Sequence, residues 1–222
     1  MSTASGRATP RGLAEKVRSI RAGQRAAIAR AITELENGLP SAAALSAALE
    51  SFAGRAQVVG VTGPPGAGKS TLVDALVREC VSRGRRVAVV AIDPSSPITG
   101  GAVLGDRIRM GAAGSDDAVF IRSLASRGHA GGLARPVRRI VDLLDAAGFD
   151  EIVVETVGAG QSDVDIASLA DASLVLCPPG LGDDVQAIKA GILEIADLLV
   201  VSKGDLPQAE RAERDLKDML HL

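Results

Sequence analysis

GPPGAGKS, residues 63–70, is the stretch that decides the fold of this 222-residue chain. It fits the phosphate-binding pattern G-x-x-x-x-G-K-[ST], follows the apolar run Val58–Val61 and opens a helical pattern from Ser70. The glycines let consecutive backbone N–H groups turn toward phosphate oxygens, and the helix adds the positive end of its dipole. The alternative is an ordinary glycine-rich turn. The order of strand, loop and helix favours the phosphate loop.

Two side chains of this loop have chemical roles in phosphate binding. Lys69 should reach the β- and γ-phosphates and act in catalysis, while the hydroxyl of Ser70 should bind Mg²⁺. The residues expected to hold the nucleotide here are Gly63, Pro65, Gly66, Ala67, Gly68, Lys69, Ser70 and Thr71.

From residue 56 onward, short apolar runs alternate with helical patterns. Several runs are continuous, which is typical of parallel strands covered on both faces. The pattern predicts an α/β fold with a doubly wound, mostly parallel sheet. The runs are Val58–Val61, Val87–Ile92, Val119–Ile121, Ile152–Val154, Leu174–Leu176 and Leu198–Val201. The predicted helices cover about 69–82, 106–113, 132–147, 183–195 and 207–220.

Three helical patterns precede the first strand. The first has apolar residues at Leu13, Val17 and Ile20, the second is stopped by Asn37-Gly38, and the third covers about Ser41–Ser51. We therefore predict a helical N-terminal extension over 1–54 and a P-loop nucleotide-binding domain over 55–222. Because a further strand would normally close such a sheet, we expect the domain to continue beyond residue 222.

Composition argues against several classes of protein. The net charge of −2, the absence of Trp and Tyr and the presence of only three Phe disfavour a general nucleic-acid binder with stacking platforms. Cys80 and Cys177 fit small core residues in a reducing compartment better than a disulfide framework. No apolar stretch is long enough to span a membrane. We expect a cytoplasmic protein with neither nucleic acid nor membrane as a partner.

Acidic residues at strand ends predict a magnesium site, since ligands of α/β sheets lie beyond the carboxyl ends of strands. Asp93 ends the second run, with a turn or helix-cap aspartate as the alternative. Glu155 ends Ile152–Val154 in the Walker-B arrangement, and Gly158 beyond it can offer its N–H to a γ-phosphate. Asp106 lies in a glycine-rich segment that reads as a switch loop. The predicted metal ligands are Ser70, Asp93, Asp106 and Glu155, and the predicted catalytic residues are Lys69, Glu155 and Asp106.

Ser202-Lys203-Gly204-Asp205 follows the last apolar run and predicts a guanine-reading loop. GTPases carry [N/T]-K-x-D at this place, where the Asp accepts hydrogen bonds from guanine N1–H and N2–H₂ and the Lys stem lies over the base. Adenine offers no such donor pair, so the loop favours GTP/GDP and a P-loop GTPase domain. Ser202 departs from the usual Asn. The alternative is an ordinary turn at a strand end.

The motifs together resemble the MeaB/ArgK (MMAA-like) family of P-loop GTPases, chaperones of adenosylcobalamin-dependent acyl-CoA mutases. The resemblance covers about residues 13–222. It is carried by VTGPPGAGKSTLVDAL, AIDPSS, TGGAVLGDRIRM, FIRS, GGLA, AAGFDEIVVETVGAGQSD and PPGLGDDVQAIKAGILEIADLLVVSKGD, in that order.

The resemblance implies slow GTP hydrolysis that a partner mutase, such as methylmalonyl-CoA mutase, stimulates, and that gates adenosylcobalamin loading and protects the mutase. It places Asp93 and Asp106 near Mg²⁺, Glu155 in the second switch, and the segment 179–189 in a third switch. It also implies a homodimer formed through an arm beyond residue 222.

Other classes share parts of this pattern. A nickel-delivery metallochaperone GTPase would share the nucleotide motifs but normally carries a His-rich or paired-Cys segment. A small-molecule kinase would share the phosphate loop but has no use for a guanine-reading pair. A nucleotide-locked interaction protein would bind without useful turnover.

Overall fold

The computed structural model describes residues 10–93, 116–125, 134–156, 168–180 and 193–220. Its strands are β1 (Gln57–Thr62), β2 (Val87–Asp93), β3 (Val119–Ala125), β4 (Glu151–Thr156), β5 (Ala172–Cys177) and β6 (Leu198–Val201). Its helices are α1 (Pro10–Arg21), α2 (Arg25–Glu36), α3 (Ala42–Leu49), α4 (Lys69–Ser82), α5 (Ala134–Ala146) and α6 (Ala209–Leu220), with 3₁₀ turns at Glu50–Phe52 and Leu193–Ile195.

The described strands form one sheet in the order β3-β2-β4-β1-β5-β6, and every pair is parallel. Side chains of β2 alternate between two hydrophobic clusters, as the two-residue period of a strand requires. Ala88 and Val90 pack on the side of α5, whereas Val87 and Val89 pack on the side of α4. Both faces of the sheet are therefore covered, and the predicted α/β class is confirmed.

Most predicted elements lie where the pattern places them. Helix α4 has the predicted bounds, because Gly68 is its N-cap and the helix ends before Arg83. Strand β3 continues four residues past the predicted Ile121. The predicted helix 106–113 lies outside the described residues, as does most of the predicted helix 183–195. No described helix is long and apolar enough to cross a membrane.

Helices α1–α3 share one hydrophobic core with α5 and the sheet. Buried members from the N-terminal helices include Ile20, Ile28, Ile32 and Leu45, which join Ile140 and Leu144 of α5 and Ile152 of β4. The N-terminal helices therefore pack over one face of the sheet together with α5.

All three phenylalanines lie beneath arginine guanidinium groups. The distances from the guanidinium carbon to the ring centroid are 3.8 Å for Arg21–Phe52, 5.5 Å for Arg25–Phe120 and 4.7 Å for Arg86–Phe149. Arg25 Nη1 also donates to the Val119 carbonyl at 2.7 Å, which joins α2 directly to β3. The Arg25–Phe120 contact thus adds a directional link between α2 and the sheet. The Arg21–Phe52 contact lies within the N-terminal segment, and the Arg86–Phe149 contact joins the residues that precede β2 and β4.

Aspartates fasten the amino edge of the sheet. Each precedes one strand and accepts a hydrogen bond from a backbone N–H at the start of the neighbouring strand. The pairs are Asp150 with Arg86 (2.8 Å), Asp171 with Val58 (2.8 Å) and Asp197 with Ser173 (2.7 Å). These carboxylates stabilise the strand register at the amino ends of the strands. The predicted site residues lie at the opposite edge, where the strands have their carboxyl ends.

Asp145 of α5 holds the segment that joins the N-terminal helices to β1. Its carboxylate accepts hydrogen bonds from the backbone N–H groups of Gly54, Arg55 (3.0 Å) and Ala56 (3.2 Å). Asp142, three residues earlier on α5, has a pKa above its usual 3.8, chiefly because the carboxyl group is partly buried. The nearby positive charge of Arg138 lowers this pKa, and the negative charges of Asp145 and Glu50 raise it further.

Asp145→Asn is expected to lower the free energy of unfolding by about 1–3 kcal/mol, the value of hydrogen bonds to a charged acceptor. Asp142→Asn on the same helix is the matched control, and it is not expected to destabilise. Because folding raises the pKa of Asp142, its ionisation disfavours the fold progressively as pH rises from the usual value toward the raised one. Urea unfolding, followed by circular dichroism at several pH values, measures the free energy of unfolding of both variants. Equal destabilisation by the two variants would contradict the role of Asp145.

Candidate functional site

The predicted site residues gather at the carboxyl edge of the sheet. Because the strands are parallel, their carboxyl ends share one edge, where ligands of α/β sheets bind. Strand β1 leads into residues 63–68 and α4, β2 ends at Asp93, β4 carries Glu155 near its end, and β6 leads into Lys203.

Lys69 begins α4 and turns its side chain back over the loop that precedes it. Its side chain is 6% exposed, and Nζ donates to the carbonyl oxygens of Gly63 at 2.7 Å and Pro64 at 2.9 Å. These bonds hold the ammonium group within the curve of the loop, where the α4 dipole also concentrates positive potential. The arrangement suits the binding of a polyphosphate.

Ser70 and Glu155 are brought into direct contact. Ser70 Oγ donates to Glu155 Oε1 at 2.8 Å, although the two residues are 85 positions apart in the sequence. Glu155 is 1% exposed and pairs in register with Val61 of β1 and Ala91 of β2. Asp93, also 1% exposed, ends the adjacent strand two residues beyond Ala91. A half-buried hydroxyl group and two buried carboxylates thus lie on neighbouring elements beside the loop.

The start of the loop packs tightly against β5. Gly63 has φ +142°, and a Cβ added there would lie 2.6 Å from the Leu176 carbonyl oxygen. Gly66 and Gly68 have φ +74° and +90°, but an added Cβ at either would meet nothing within 4 Å. Gly63 therefore fits the loop to the sheet, while the backbone at the other two glycines borders open space.

A buried pair of hydroxyl groups joins the ends of β1 and β4. Thr156 Oγ1 donates to Thr62 Oγ1 at 3.0 Å, and both residues are buried. Thr62 immediately precedes Gly63, and Thr156 immediately follows Glu155. The pair therefore adjoins both the phosphate loop and its acidic partner.

The predicted guanine loop is exposed at the end of β6. Lys203 has φ +55°, a left-handed conformation that costs a non-glycine residue about 1–3 kcal/mol and concentrates at functional sites. Its carbonyl accepts a hydrogen bond from Leu206 N at 3.0 Å, which closes a turn around Asp205. The buried Ser202 Oγ makes no hydrogen bond with the described residues.

Some predicted residues cannot be placed at the site. Asp106 and Gly158 lie outside the described residues, as does most of the predicted third switch. Within the described residues, no cluster of three or more His, Cys, Asp or Glu forms a metal site by itself. Cys177 is free and buried at the end of β5, and burial raises the pKa of its thiol.

Sequence reasoning missed three participants of the site. The Pro64 carbonyl accepts from Lys69, and the Leu176 carbonyl packs against Gly63, but backbone acceptors leave no signal in a side-chain pattern. The Thr62–Thr156 pair left no signal either, because threonine is an ordinary strand residue and neither strand shows which other strand lies beside it.

Family-level comparison matches residues 28–222 to the family described as "Methylmalonyl Co-A mutase-associated GTPase MeaB". A Pyrococcus abyssi protein named as a GTPase is 50% identical over 208 residues, which are 94% of this chain and 64% of that protein. GTPase ArgK of Escherichia coli is 45% identical over 87% of this chain and 60% of its own length. The mitochondrial methylmalonic aciduria type A homolog of Caenorhabditis elegans is 38% identical, over 85% of this chain and 51% of its own length. The chain thus spans about three fifths of the length of the archaeal and E. coli relatives that it matches.

Solved structures agree on the fold. A crystal structure of a LAO/AO transport system kinase has a TM-score of 0.76 and 32% identity, covering 98% of this chain and 66% of the other. HypB from Helicobacter pylori, solved with nickel, has a TM-score of 0.54 over 79% of this chain and 80% of its own. Its identity is 20%, so that likeness concerns the fold alone.

Proposed function

The chain belongs to the MeaB family of methylmalonyl-CoA mutase-associated GTPases, and from that premise we propose that it binds guanine nucleotide and hydrolyses GTP. The observation that carries the proposal is the phosphate loop with its buried Lys69, whose Nζ is held by two loop carbonyls. Ser70, the next residue, contacts Glu155. A cation, a helix N-terminus and a hydroxyl–carboxylate pair meet where the β- and γ-phosphates would bind.

In this proposal the catalytic role of the chain is positioning and charge stabilisation. Lys69 and the backbone N–H groups of Gly63, Gly66, Ala67, Gly68 and Thr71 hold phosphate oxygens and stabilise charge on the transferring group. Pro65 has no N–H to donate, so its proposed role is to line the loop beside the nucleotide. Gly158 and Asp106, outside the described residues, keep their proposed roles beside the γ-phosphate and the metal.

The oxygens beside the loop fit Mg²⁺. Ser70, Glu155 and Asp93 offer only hydroxyl and carboxylate oxygens, which a hard cation prefers, and both carboxylates are buried. A small set of protein ligands suits Mg²⁺, which keeps several waters and phosphate oxygens around it. Mg²⁺ would neutralise charge on the phosphate oxygens. We propose Ser70, Asp93, Glu155 and Asp106 as the residues that hold it, directly or through water.

Guanine selectivity is proposed for Lys203 and Asp205. The exposed turn and the left-handed Lys203 support the proposal, since they leave the Asp205 carboxylate open to a base. Two N–H groups of guanine can donate to one carboxylate, and such charge-assisted pairs are strong and specific.

Asp205→Asn is expected to weaken GTP binding about 10- to 100-fold, as the loss of a charge-assisted hydrogen bond would. The same change should shift preference toward xanthosine triphosphate, because the new amide can donate to the xanthine O2 while its carbonyl still accepts. Competition of both nucleotides against a fluorescent guanine nucleotide measures the shift. Asp218→Asn, which changes an exposed aspartate of α6, is the matched control. Unchanged GTP preference in Asp205→Asn would reject the guanine-reading role.

We further propose that the chain serves an adenosylcobalamin-dependent acyl-CoA mutase, such as methylmalonyl-CoA mutase, by gating cofactor loading and protecting the loaded enzyme. The family description and the C. elegans relative's name support this partner class. The test is phosphate release from GTP with and without a purified mutase. Faster GTP turnover with the mutase supports the proposal, whereas an unchanged rate in a protein that binds GTP would reject the partner. Homodimerisation of the full-length protein is part of the same proposal and is tested by its mass in solution.

A small-molecule kinase is the second candidate, because the LAO/AO relative is named a kinase. The two candidates differ in where the phosphoryl group goes. Release of inorganic phosphate from GTP supports the GTPase, and transfer to an added small molecule from ATP would support the kinase.

We also propose that residues 1–54 are a helical extension built onto a GTPase domain of residues 55–222. The shared core and the Asp145 contacts support a close association of the two parts. A cytoplasmic location is proposed as well, since the free Cys80 and Cys177 fit a reducing compartment.

A further inference from the structure

The pair of buried threonine hydroxyls at the ends of β1 and β4 has no part in the mechanism described so far. We propose that Thr62 and Thr156 form a positioning pair, which holds Glu155 at the distance from the phosphate loop at which its carboxylate meets Ser70. The inference rests on the proposed GTPase function and extends it to two residues to which that proposal gives no contact with nucleotide or metal.

The two faces of the sheet show how the pair acts. Thr62 and Thr156 share the face of Val58, Ile152 and Val154, which pack toward α5 and the N-terminal helices. Glu155 is on the opposite face with Val153, toward α4, and there it meets Ser70. The end of β4 is therefore hydrogen-bonded to residues beside the phosphate loop on both faces of the sheet. On one face Thr156 bonds Thr62, and on the other Glu155 bonds Ser70.

Sequence neighbours connect the pair to the site. Thr62 precedes Gly63, whose carbonyl accepts from Lys69 Nζ at 2.7 Å. Thr156 follows Glu155, and paired backbone positions between β1 and β4 run from Gln57 with Glu151 to Val61 with Glu155. The threonine bond thus lies one residue past the last paired position. It links β1 and β4 at the position where the phosphate loop begins.

Burial makes this bond effective. Thr62 and Thr156 are 3% and 1% exposed, so water cannot replace the bond, and removing one hydroxyl leaves the other buried oxygen without this partner. Loss of the bond is expected to let the end of β4 shift relative to the loop. Glu155 would then spend less time at Ser70, and the affinity of the site for Mg²⁺ with nucleotide would fall.

The experiment measures dissociation of a fluorescent GDP analogue from the whole chain over a series of Mg²⁺ concentrations. Thr156→Val removes the hydroxyl and keeps the shape. It is expected to raise the Mg²⁺ concentration for half-maximal retention of GDP about five-fold, the equivalent of one net hydrogen bond. Thr156→Ser keeps the hydroxyl and is expected to stay within roughly two-fold of the native value. Thr33→Val on α2, away from the site, is the matched control.

A double-mutant cycle separates the bond from local packing. Thr62→Val is expected to act like Thr156→Val, and the double variant to be no worse than the poorer single one, because all three remove the same bond. The double variant also replaces both partners by apolar groups, which is nearly neutral for stability. It therefore provides the test if a single variant does not fold by circular dichroism.

The outcomes distinguish this inference from the proposed function. Native protein that fails to retain guanine nucleotide would overturn the GTPase proposal, and the positioning pair with it. Native retention with an unchanged Mg²⁺ requirement in the valine variants would overturn the pair alone. The positioning role is also overturned if Thr156→Ser is as impaired as Thr156→Val, or if the two valine substitutions add independently.

Discussion

Lys69→Ala is expected to reduce GTP turnover about 10²- to 10³-fold, the cost of removing one pre-organised donor from a site of developing charge. Nucleotide affinity should fall with it, because the same ammonium group would bind the ground-state phosphates. The effect follows from the position of Nζ, which the Gly63 and Pro64 carbonyls hold inside the loop. Titration with a fluorescent guanine nucleotide and single-turnover hydrolysis measure affinity and turnover separately.

The matched control for this variant is Arg78→Ala, which removes an exposed cation of the same helix that pairs with Asp74. Arg78→Ala should bind and hydrolyse GTP like the native chain, since it is remote from the loop. A Lys69→Ala protein that retains native affinity and turnover would show that this loop is not the phosphate site. Circular dichroism establishes that both variants are folded before the comparison is made.

Gly63→Ala is expected to be the most disruptive single methyl group in the described part of the phosphate loop. The backbone at Gly63 has φ +142°, and the added Cβ would lie 2.6 Å from the Leu176 carbonyl oxygen and 3.1 Å from Leu176 Cβ. Backbone strain and overpacking together predict a loss of about 2–6 kcal/mol in the free energy of unfolding. Nucleotide binding should be lost in parallel, because relief of the clash moves the loop away from β5.

Gly38→Ala is the control for ordinary left-handed strain. Gly38 also has a positive φ, +58°, but an added Cβ there meets nothing within 4 Å. Urea unfolding of both variants gives a difference that combines the contact with Leu176 and the greater backbone strain of φ +142°. If the two variants lose the same stability, neither the packing of Gly63 against β5 nor its backbone conformation contributes the expected loss.

The phosphate loop and its surroundings were predictable because their chemistry is local. The motif fixes the start of α4, the preceding apolar run fixes β1, and continuous apolar runs identify strands buried on both faces. The proximity of Ser70 and Glu155 also follows, since adjacent parallel strands bring their carboxyl ends together.

The end of β3 was not predictable from the local pattern. Arg122 and Ser123 interrupt its apolar run, and the expected strand therefore stopped at Ile121. The structure explains the polar residue: Arg122 Nη2 donates to Thr33 Oγ1 at 3.0 Å and to Glu36 Oε2 at 3.2 Å. Both acceptors belong to α2, about 90 residues away in the chain, so no local window contains the reason.

The Thr62–Thr156 pair illustrates the same limit at the site. A threonine is a good strand residue on its own, and nothing within either strand indicates that two of them meet. Only the order of the strands, with β1 next to β4, puts the hydroxyls together. The assigned roles of Asp106 and Gly158 remain predictions, since both lie outside the described residues.

The three phenylalanines that lie beneath arginines offer sites for a fluorescent probe. With no Trp or Tyr in the chain and only these three Phe, the protein itself is almost silent in near-ultraviolet absorbance and emission. Phe120 joins α2 to β3 through Arg25, and Phe52 joins α1 to the segment before β1 through Arg21. A tryptophan substituted for either Phe would be the only indole in the molecule. Its emission wavelength and fluorescence lifetime would therefore report on that one contact, without emission from any other tryptophan.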